Sequence, residues 1–280
     1  MLDAIFAEAR KLWGHRKATW SLLGAIPILL TVLFVCTELY RALNGGGGSV
    51  ITRETMPAQV WAAQSLQLWQ VPQNLMWLFA AAFSAIAFGG EYRWNTLKLV
   101  VPHRDRVQLM LAKFFVVIKL IAASLLVFAI LNLLFVTLHD LFSGRGVPAD
   151  VDWASVLWRH GLVWAHTVLA SSLVAAYAAL AATAMRSTAG GIVAAVIAFI
   201  VFALPAPLWA FIKAVPIYHY SPGYSLQNLQ SWATVDRALT IPIPGETIAD
   251  GWLLSLGVAG GWLLALIALT TLIFRRQDFN

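Results

Sequence analysis

Six long apolar runs, at about 20–42, 71–90, 114–138, 161–185, 190–211 and 251–274, constrain this chain more than any other feature. The hydrocarbon core of a bilayer is about 30 Å thick, so a crossing helix needs roughly 20 apolar residues. Each run has that length, and over such a stretch in lipid only a helix satisfies its own backbone polar groups. The chain is 60% hydrophobic and 11% charged, with 13 Trp in 280 residues. An ordinary soluble domain carries charge on about a quarter of its residues. The expected fold is therefore an all-α membrane protein, a single domain over 1–280 with six transmembrane helices. A net charge of +6 would suggest nucleic acid in a soluble chain. Here the basic residues sit between apolar runs, where they orient a membrane protein, and no nucleic-acid partner is expected.

An even number of crossings puts both termini on one side, together with the links 91–113 and 186–189. That side carries Arg10, Lys11, Arg16, Lys17, Arg93, Lys98, Arg104, Arg106, Lys113, Arg186, Arg275 and Arg276, crowded into short segments beside span ends. The opposite side has Arg41, Arg53, Arg145, Arg159, Lys213 and Arg237. The positive-inside rule makes the first side cytoplasmic. Trp69, Trp153, Trp158, Trp209 and Trp252 fall near the outer ends of the runs, and Trp20 and Trp94 near the inner ones, where amphipathic rings favour the headgroup level. The first run is too long for a signal peptide and no small-residue cleavage pattern follows it, so it is expected to stay as an anchor.

Outside the spans, Leu2, Ile5, Phe6, Ala9, Leu12 and Trp13 recur at helical spacing, with Asp3, Glu8, Arg10 and Lys11 on the other side. Residues 1–17 are thus expected to form an interfacial helix whose Phe6, Leu12 and Trp13 enter lipid while its basic residues meet anionic headgroups. Gly45-Gly46-Gly47-Gly48 is a flexible link. No Gly-Lys-Ser or Gly-Lys-Thr follows a glycine at P-loop spacing anywhere, so neither an ATPase site nor a bound cofactor is expected. The link 212–250, with four prolines and three tyrosines, is expected to fold back on the outer mouth, allowing a re-entrant hairpin. Asn74, Asn132 and His166 are polar groups inside the runs, candidates for a substrate path or for hydrogen bonds between helices. His160 and His166 do not share a helical face, and neither a metal site nor a catalytic triad is expected.

The link 91–113 is longer than a reversal requires and has its own apolar positions. Asn95 or Thr96 caps a short helix through Leu97, Lys98, Leu99 and Val100, and Pro102 ends it. Glu91 and Arg93 bring charge to the interface. The apolar side of such a helix fits a partner's groove, while Lys98, Arg104 and Arg106 meet acidic rims. Glu91, a carboxylate at a span end, needs a cationic or backbone partner.

The run Phe88-Gly89-Gly90-Glu91, then Asn95-Thr96-Leu97, Pro102, Arg104 and Lys113, resembles the cytoplasmic loop of type-2 ABC exporter permeases. That loop reads Glu, Gly-Thr-Leu, Pro-Ser-Arg and Lys at similar spacing; Asn95 stands in place of Gly and His103 in place of Ser. The resemblance implies a permease without enzymatic activity in a bacterial cytoplasmic membrane, paired with a second permease, identical or not. Two separate subunits binding ATP and Mg would sit beneath it. Residues 97–101 would dock in an ATPase cleft as a coupling helix, and the N-terminal helix would be the elbow beside it. An apolar path suits a hydrophobic or amphipathic cargo. An intramembrane enzyme acting on lipid or peptide, or a non-transporting scaffold, are the alternatives.

Overall fold

The computed structural model describes residues 2–14, 16–43, 57–93, 105–142, 146–202, 218–243 and 246–277. Along the chain come α1 (Leu2–Gly14), α2 (Arg16–Leu43), α3 (Ala58–Gln67), α4 (Gln70–Arg93) and α5 (Arg106–Phe142). They are followed by α6 (Trp153–Ala184), α7 (Thr188–Phe202), α8 (Pro222–Val235), a hairpin of β1 (Ile241–Ile243) and β2 (Glu246–Ile248), and α9 (Trp252–Arg276). The hairpin is small and antiparallel, with Ile241 opposite Ile248. Among the described residues, four helical stretches are long and apolar enough to cross a membrane: Ala58–Tyr92, Arg106–Phe142, Trp153–Ala184 and Trp252–Arg276. They are the mark of an integral membrane protein. Two shorter apolar helical segments are Pro27–Thr37, within α2, and Thr188–Val201.

Helix starts follow capping chemistry more closely than hydropathy. α5 and α6 begin at Arg106 and Trp153, each eight residues before the apolar runs that start at 114 and 161. The Asp152 carboxylate accepts the backbone N–H groups of Ala154 and Ser155 at 3.1 and 3.3 Å, and Asp105 accepts that of Val107 at 3.3 Å. Each satisfies donors that the first helical turn leaves open. α4 also departs from the hydropathy pattern, which suggests a stop at Gly89-Gly90. The helix instead continues to Arg93, because Gly89 serves close packing: a Cβ there would lie 2.9 Å from the Thr188 backbone at the start of α7.

Small residues let α4, α6 and α7 interlock. Ala81 and Ala85 of α4, Ala178 of α6 and Ala195 of α7 form one buried cluster. A Cβ on Gly191 would lie 2.8 Å from the Ala178 carbonyl oxygen and 3.0 Å from Ala85 Cβ. Where helices meet in lipid there is little hydrophobic drive to associate, so close van der Waals contact carries the packing. A larger core joins α4, α5, α6 and α9 through buried Met76, Phe88, Phe128, Leu173, Leu266 and Phe274.

Polar side chains fasten the short helix α3 to this bundle. Trp61 Nε1 donates to Asp140 at 2.8 Å, and Trp69 Nε1 donates to His160 Nδ1 at 2.9 Å. Since His160 Nδ1 is the acceptor, its ring proton lies on Nε2, 3.0 Å from Ser65 Oγ. Asn132 donates to the Ser65 carbonyl at 2.9 Å. Trp69 is thus a buried core residue, 1% exposed, rather than the headgroup anchor its position near a run end suggests. Its indole nitrogen finds His160 inside the protein, so the ring does not need the membrane interface.

The described part of the link 212–250 contains a helix. Ser221 caps α8 by accepting the Tyr224 N–H at 3.2 Å, Pro222 opens it, and left-handed Asp236 closes it. Asn228 ties α8 to the start of α9, donating to the Asp250 carbonyl and Ser255 Oγ, and it also accepts from the Leu239 N–H. Arg159 reaches the Thr234 carbonyl from α6 at 3.1 Å, which seats α8 on the bundle.

The neighbouring glycines at the start of α7 give a direct test of the small-residue packing. Gly191→Ala must push apart α6 and α7, and should cost about 1–3 kcal/mol. Gly190→Ala meets only the flexible end of Met185, and should stay within about 1 kcal/mol of the parent chain because alanine favours the helix. Thermal unfolding of the two variants in detergent reads the difference, and equal stabilities would contradict the packing.

Candidate functional site

One end of the bundle gathers α1, the end of α4, the start of α5 and the ends of α6 and α9. Lys113 of α5 lies at its centre, 1% exposed. Its Nζ is 2.8 Å from Glu91 Oε2 of α4 and 3.4 Å from Glu8 Oε2 of α1. It also donates to the Ala87 carbonyl at 3.1 Å. Lys11 of α1 pairs with the other oxygen of Glu91. Two ammonium groups thus face two carboxylates, an arrangement forced by the cost of burying any one of these charges alone. Burial above all, with the nearby Lys113 charge adding to it and Glu8 opposing, pushes the Lys11 ammonium down to about 8.

A second fastening lies beside the first. Tyr92 donates its hydroxyl to Gln277 Oε1 at 2.6 Å, and Gln277 Nε2 donates to the Thr183 carbonyl of α6 at 2.8 Å. Arg106 Nη1 donates to the carbonyls of Arg275 and Gln277, both at 2.8 Å. The segment 94–104 departs from α4 and returns into α5 at this place. Glu91 and Tyr92 therefore hold its first root, and Arg106 and Lys113 its second.

The structure gives Glu91 the cationic partner its position demands, in Lys113 and Lys11. Arg106, expected to meet a partner's acidic rim, spends its described hydrogen bonds on the carbonyls that end α9, where a cation also suits the helix dipole. Thr96, Leu97, Lys98, Leu99, Pro102 and Arg104 lie outside the described residues, as do the side chains of Arg93 and Trp13. On α1 the apolar stripe expected to enter lipid divides, with Leu12 packed into the protein and Phe6 left outside. Ala4, Glu8 and Leu12 are buried, whereas Phe6 is 70% exposed. Glu8, placed on the polar side by periodicity, turns inward because Lys113 waits there, a contact 105 residues away that no local pattern reveals.

A cavity of about 350 Å³ lies elsewhere, among α4, α6, α7 and α8. Gln70, Gln73, Asn74, His166, Gln227 and Gln230 supply its polar lining, and Trp77 and Phe199 stack beside it with ring centroids 3.7 Å apart. Gln230 Nε2 donates to Gln73 Oε1 at 2.8 Å, joining α8 to α4. His166 is 9% exposed and lies beside the Leu226 backbone without a well-formed hydrogen bond to it, and neither ring nitrogen has another partner. Asn74 and His166 thus come to one cavity. Asn132 does not; it serves the α3–α5 contact. The glutamine pairs at 70 and 73 and at 227 and 230 are the signal that could have marked these walls, since three-residue spacing puts each pair on one helical face.

No protein-family model matches this chain, and no curated protein matches it in sequence.

Lys113→Met leaves two glutamates with one lysine and should destabilise the chain by about 3–5 kcal/mol, the cost of breaking a buried ionic group. Adding Glu91→Gln leaves Lys11 and Glu8 balanced, so the double variant should melt above the single one in detergent; simple additivity would contradict a shared cluster. Lys11 gives a pH readout. Its pKa is depressed, so the reactive neutral amine appears as pH rises through about 8. Acylation of Lys11 followed by mass spectrometry should show a midpoint there, and a midpoint at the ordinary lysine value near 10.4 would contradict the burial.

Proposed function

We propose that this chain is the transmembrane permease subunit of an ATP-driven exporter of the type-2 ABC kind, moving a hydrophobic or amphipathic cargo across the membrane or between its leaflets. The observation that carries this reading is the fastening of both roots of the segment 94–104. Lys113 and Glu91 tie them to α1, and Gln277 and Arg106 tie them to the ends of α6 and α9. A segment held in this way passes a push from outside the membrane to most of the bundle. A loose reversal between two helices would need no such attachment.

In this reading the end carrying the lysine and glutamate cluster faces the cytoplasm of a bacterial cell, with both termini there, in keeping with the excess of Arg and Lys at that end. Six helices cross the membrane. α2 has 28 residues, about 42 Å at 1.5 Å per residue, enough for a hydrocarbon core of about 30 Å. α7 belongs to the fifth crossing, the run at 190–211. α1 is the elbow at the inner interface, with exposed Phe6 toward lipid, and residues 97–101 are the coupling helix in the cleft of a separate subunit that binds ATP and Mg. A second permease, a copy of this chain or a relative, completes the path. The family resemblance of residues 88–113 adds the partner's identity, and the buried cluster adds a mechanical reason for placing Glu91 and Lys113 at the two ends of that stretch.

Affinity purification of the tagged chain from its native membranes should bring with it a protein that hydrolyses ATP. Leu97→Asp with Leu99→Asp should reduce recovery of that partner by about tenfold or more, a loss of some 1.4 kcal/mol, while the chain still inserts. Full recovery would overturn the docking assignment. In the reconstituted complex, Glu91→Gln should let ATP hydrolysis continue while ATP-dependent export falls. Unchanged export per ATP would remove Glu91 from coupling.

A further inference from the structure

The cavity among α4, α6, α7 and α8 has a chemical character of its own. Its polar groups are amides, hydroxyls and one imidazole, and none of the described lining residues is Asp, Glu, Lys or Arg. A cavity that took an ion would need a counter-charge, because an unpaired charge away from water is costly. This one offers neutral donors and acceptors instead. Two of its buried groups lack hydrogen-bond partners: both ring nitrogens of His166, and Gln73 Nε2, whose amide oxygen is already taken by Gln230. Buried polar atoms in a folded protein are nearly always paired, so unpaired atoms facing a cavity mark where a ligand or water completes them. His166 presents one N–H and one bare nitrogen on different edges of its ring, so with the Leu226 backbone beside it a single ring nitrogen can meet a hydroxyl or an amide of a ligand head.

The cavity also has an apolar side. Trp77 and Phe199 stack beside it at 3.7 Å, and the neighbouring outward positions Leu78 of α4 and Ile197 and Ile200 of α7 are exposed hydrocarbon. A ligand head in the cavity therefore has an apolar surface next to it for a chain. Small-molecule sites commonly combine a mostly apolar wall with a few convergent polar groups, as here.

We propose that this cavity binds the uncharged, hydroxyl- or amide-bearing head of a non-ionic amphiphile, with His166, Gln73 and Gln230 reading the head and Trp77 and Phe199 flanking the start of its hydrocarbon chain. The site belongs to one copy of this chain and requires no ATP-hydrolysing partner, so it stands or falls separately from the transport reading.

Photolabelling tests it. The purified full chain in phosphatidylcholine nanodiscs is irradiated with an octyl glucoside carrying a diazirine at the first carbons of its alkyl chain, and adducts are mapped by mass spectrometry. Adducts should concentrate on residues 70–78, 166–174, 197–200 and 223–230. Unlabelled octyl glucoside should compete, while octyl phosphate and octyltrimethylammonium compete about tenfold less well, because their charges would enter a neutral site. Free glucose should also compete poorly, since it lacks the chain. His166→Leu should lower labelling about fivefold, the effect of losing one hydrogen-bonding group. The competition series uses the unaltered chain, so it decides the matter even if that variant does not fold. Labelling spread over the exposed faces of α2 and α9, equal competition by octyl phosphate, or equal competition by free glucose would each overturn the proposal.

Discussion

A lysine held away from water must be answered by carboxylates, and Lys113 is answered from two directions. Glu91 comes from the end of α4 and Glu8 from α1, with Lys11 balancing the second negative charge. Removing water from an ammonium group costs several kcal/mol, and the cost is recovered only when partners sit at hydrogen-bonding distance. The geometry therefore has little tolerance. α1, α4 and α5 must keep their relative positions for the cluster to exist, and this is what gives the segment between Arg93 and Asp105 fixed roots. Gln277 extends the same constraint to α6 and α9 through neutral hydrogen bonds to Tyr92 and Thr183.

The remainder of the bundle is organised by a different rule. In lipid the apolar side chains gain little by leaving one hydrocarbon environment for another, so contact distance and buried hydrogen bonds decide the packing. Gly89, Gly191 and the alanines between them bring α4, α6 and α7 to close range. Trp61, Trp69, His160 and Asn132 fix α3 by directional bonds. Toward α8 the three closely packed helices leave room, and the gap is lined by amides, hydroxyls and an imidazole together with Trp77, Phe199 and Leu226. The charged end and the neutral cavity are thus separate features of one scaffold. The first suits transmission of movement, and the second suits recognition of an uncharged head.

Much of this architecture was legible in the sequence because hydropathy and length are local properties. The apolar stretch at 114–138 lies inside α5, and those at 161–185 and 251–274 match α6 and α9 except for one residue at one end of each, and the demand of Glu91 for a cation follows from its place at a span end. What local patterns miss is pairing across the chain. Glu8 lies on the polar side of its helix by periodicity, yet it turns inward toward Lys113. Trp69 looks like an interface anchor by position, yet it is buried on His160, 91 residues away. Gly89 looks like a helix end, yet it is a contact point for Thr188. The cavity was half visible: Asn74 and His166 stood out as polar residues in apolar runs, but the glutamines of α8 belonged to a link whose helix hydropathy does not disclose.

The clamping of α1 to the roots of the 94–104 segment is the claim on which the rest depends, and an electron-spin distance measurement tests it directly. Spin labels at Arg10 and Asp105, both exposed, are introduced in a Cys36→Ala background that removes the native thiol. A rigid cluster predicts one narrow distance distribution in lipid nanodiscs, broadened when Lys113 is replaced by Met. A distribution already broad in the parent chain, or one whose width Lys113→Met leaves unchanged, would contradict the clamp.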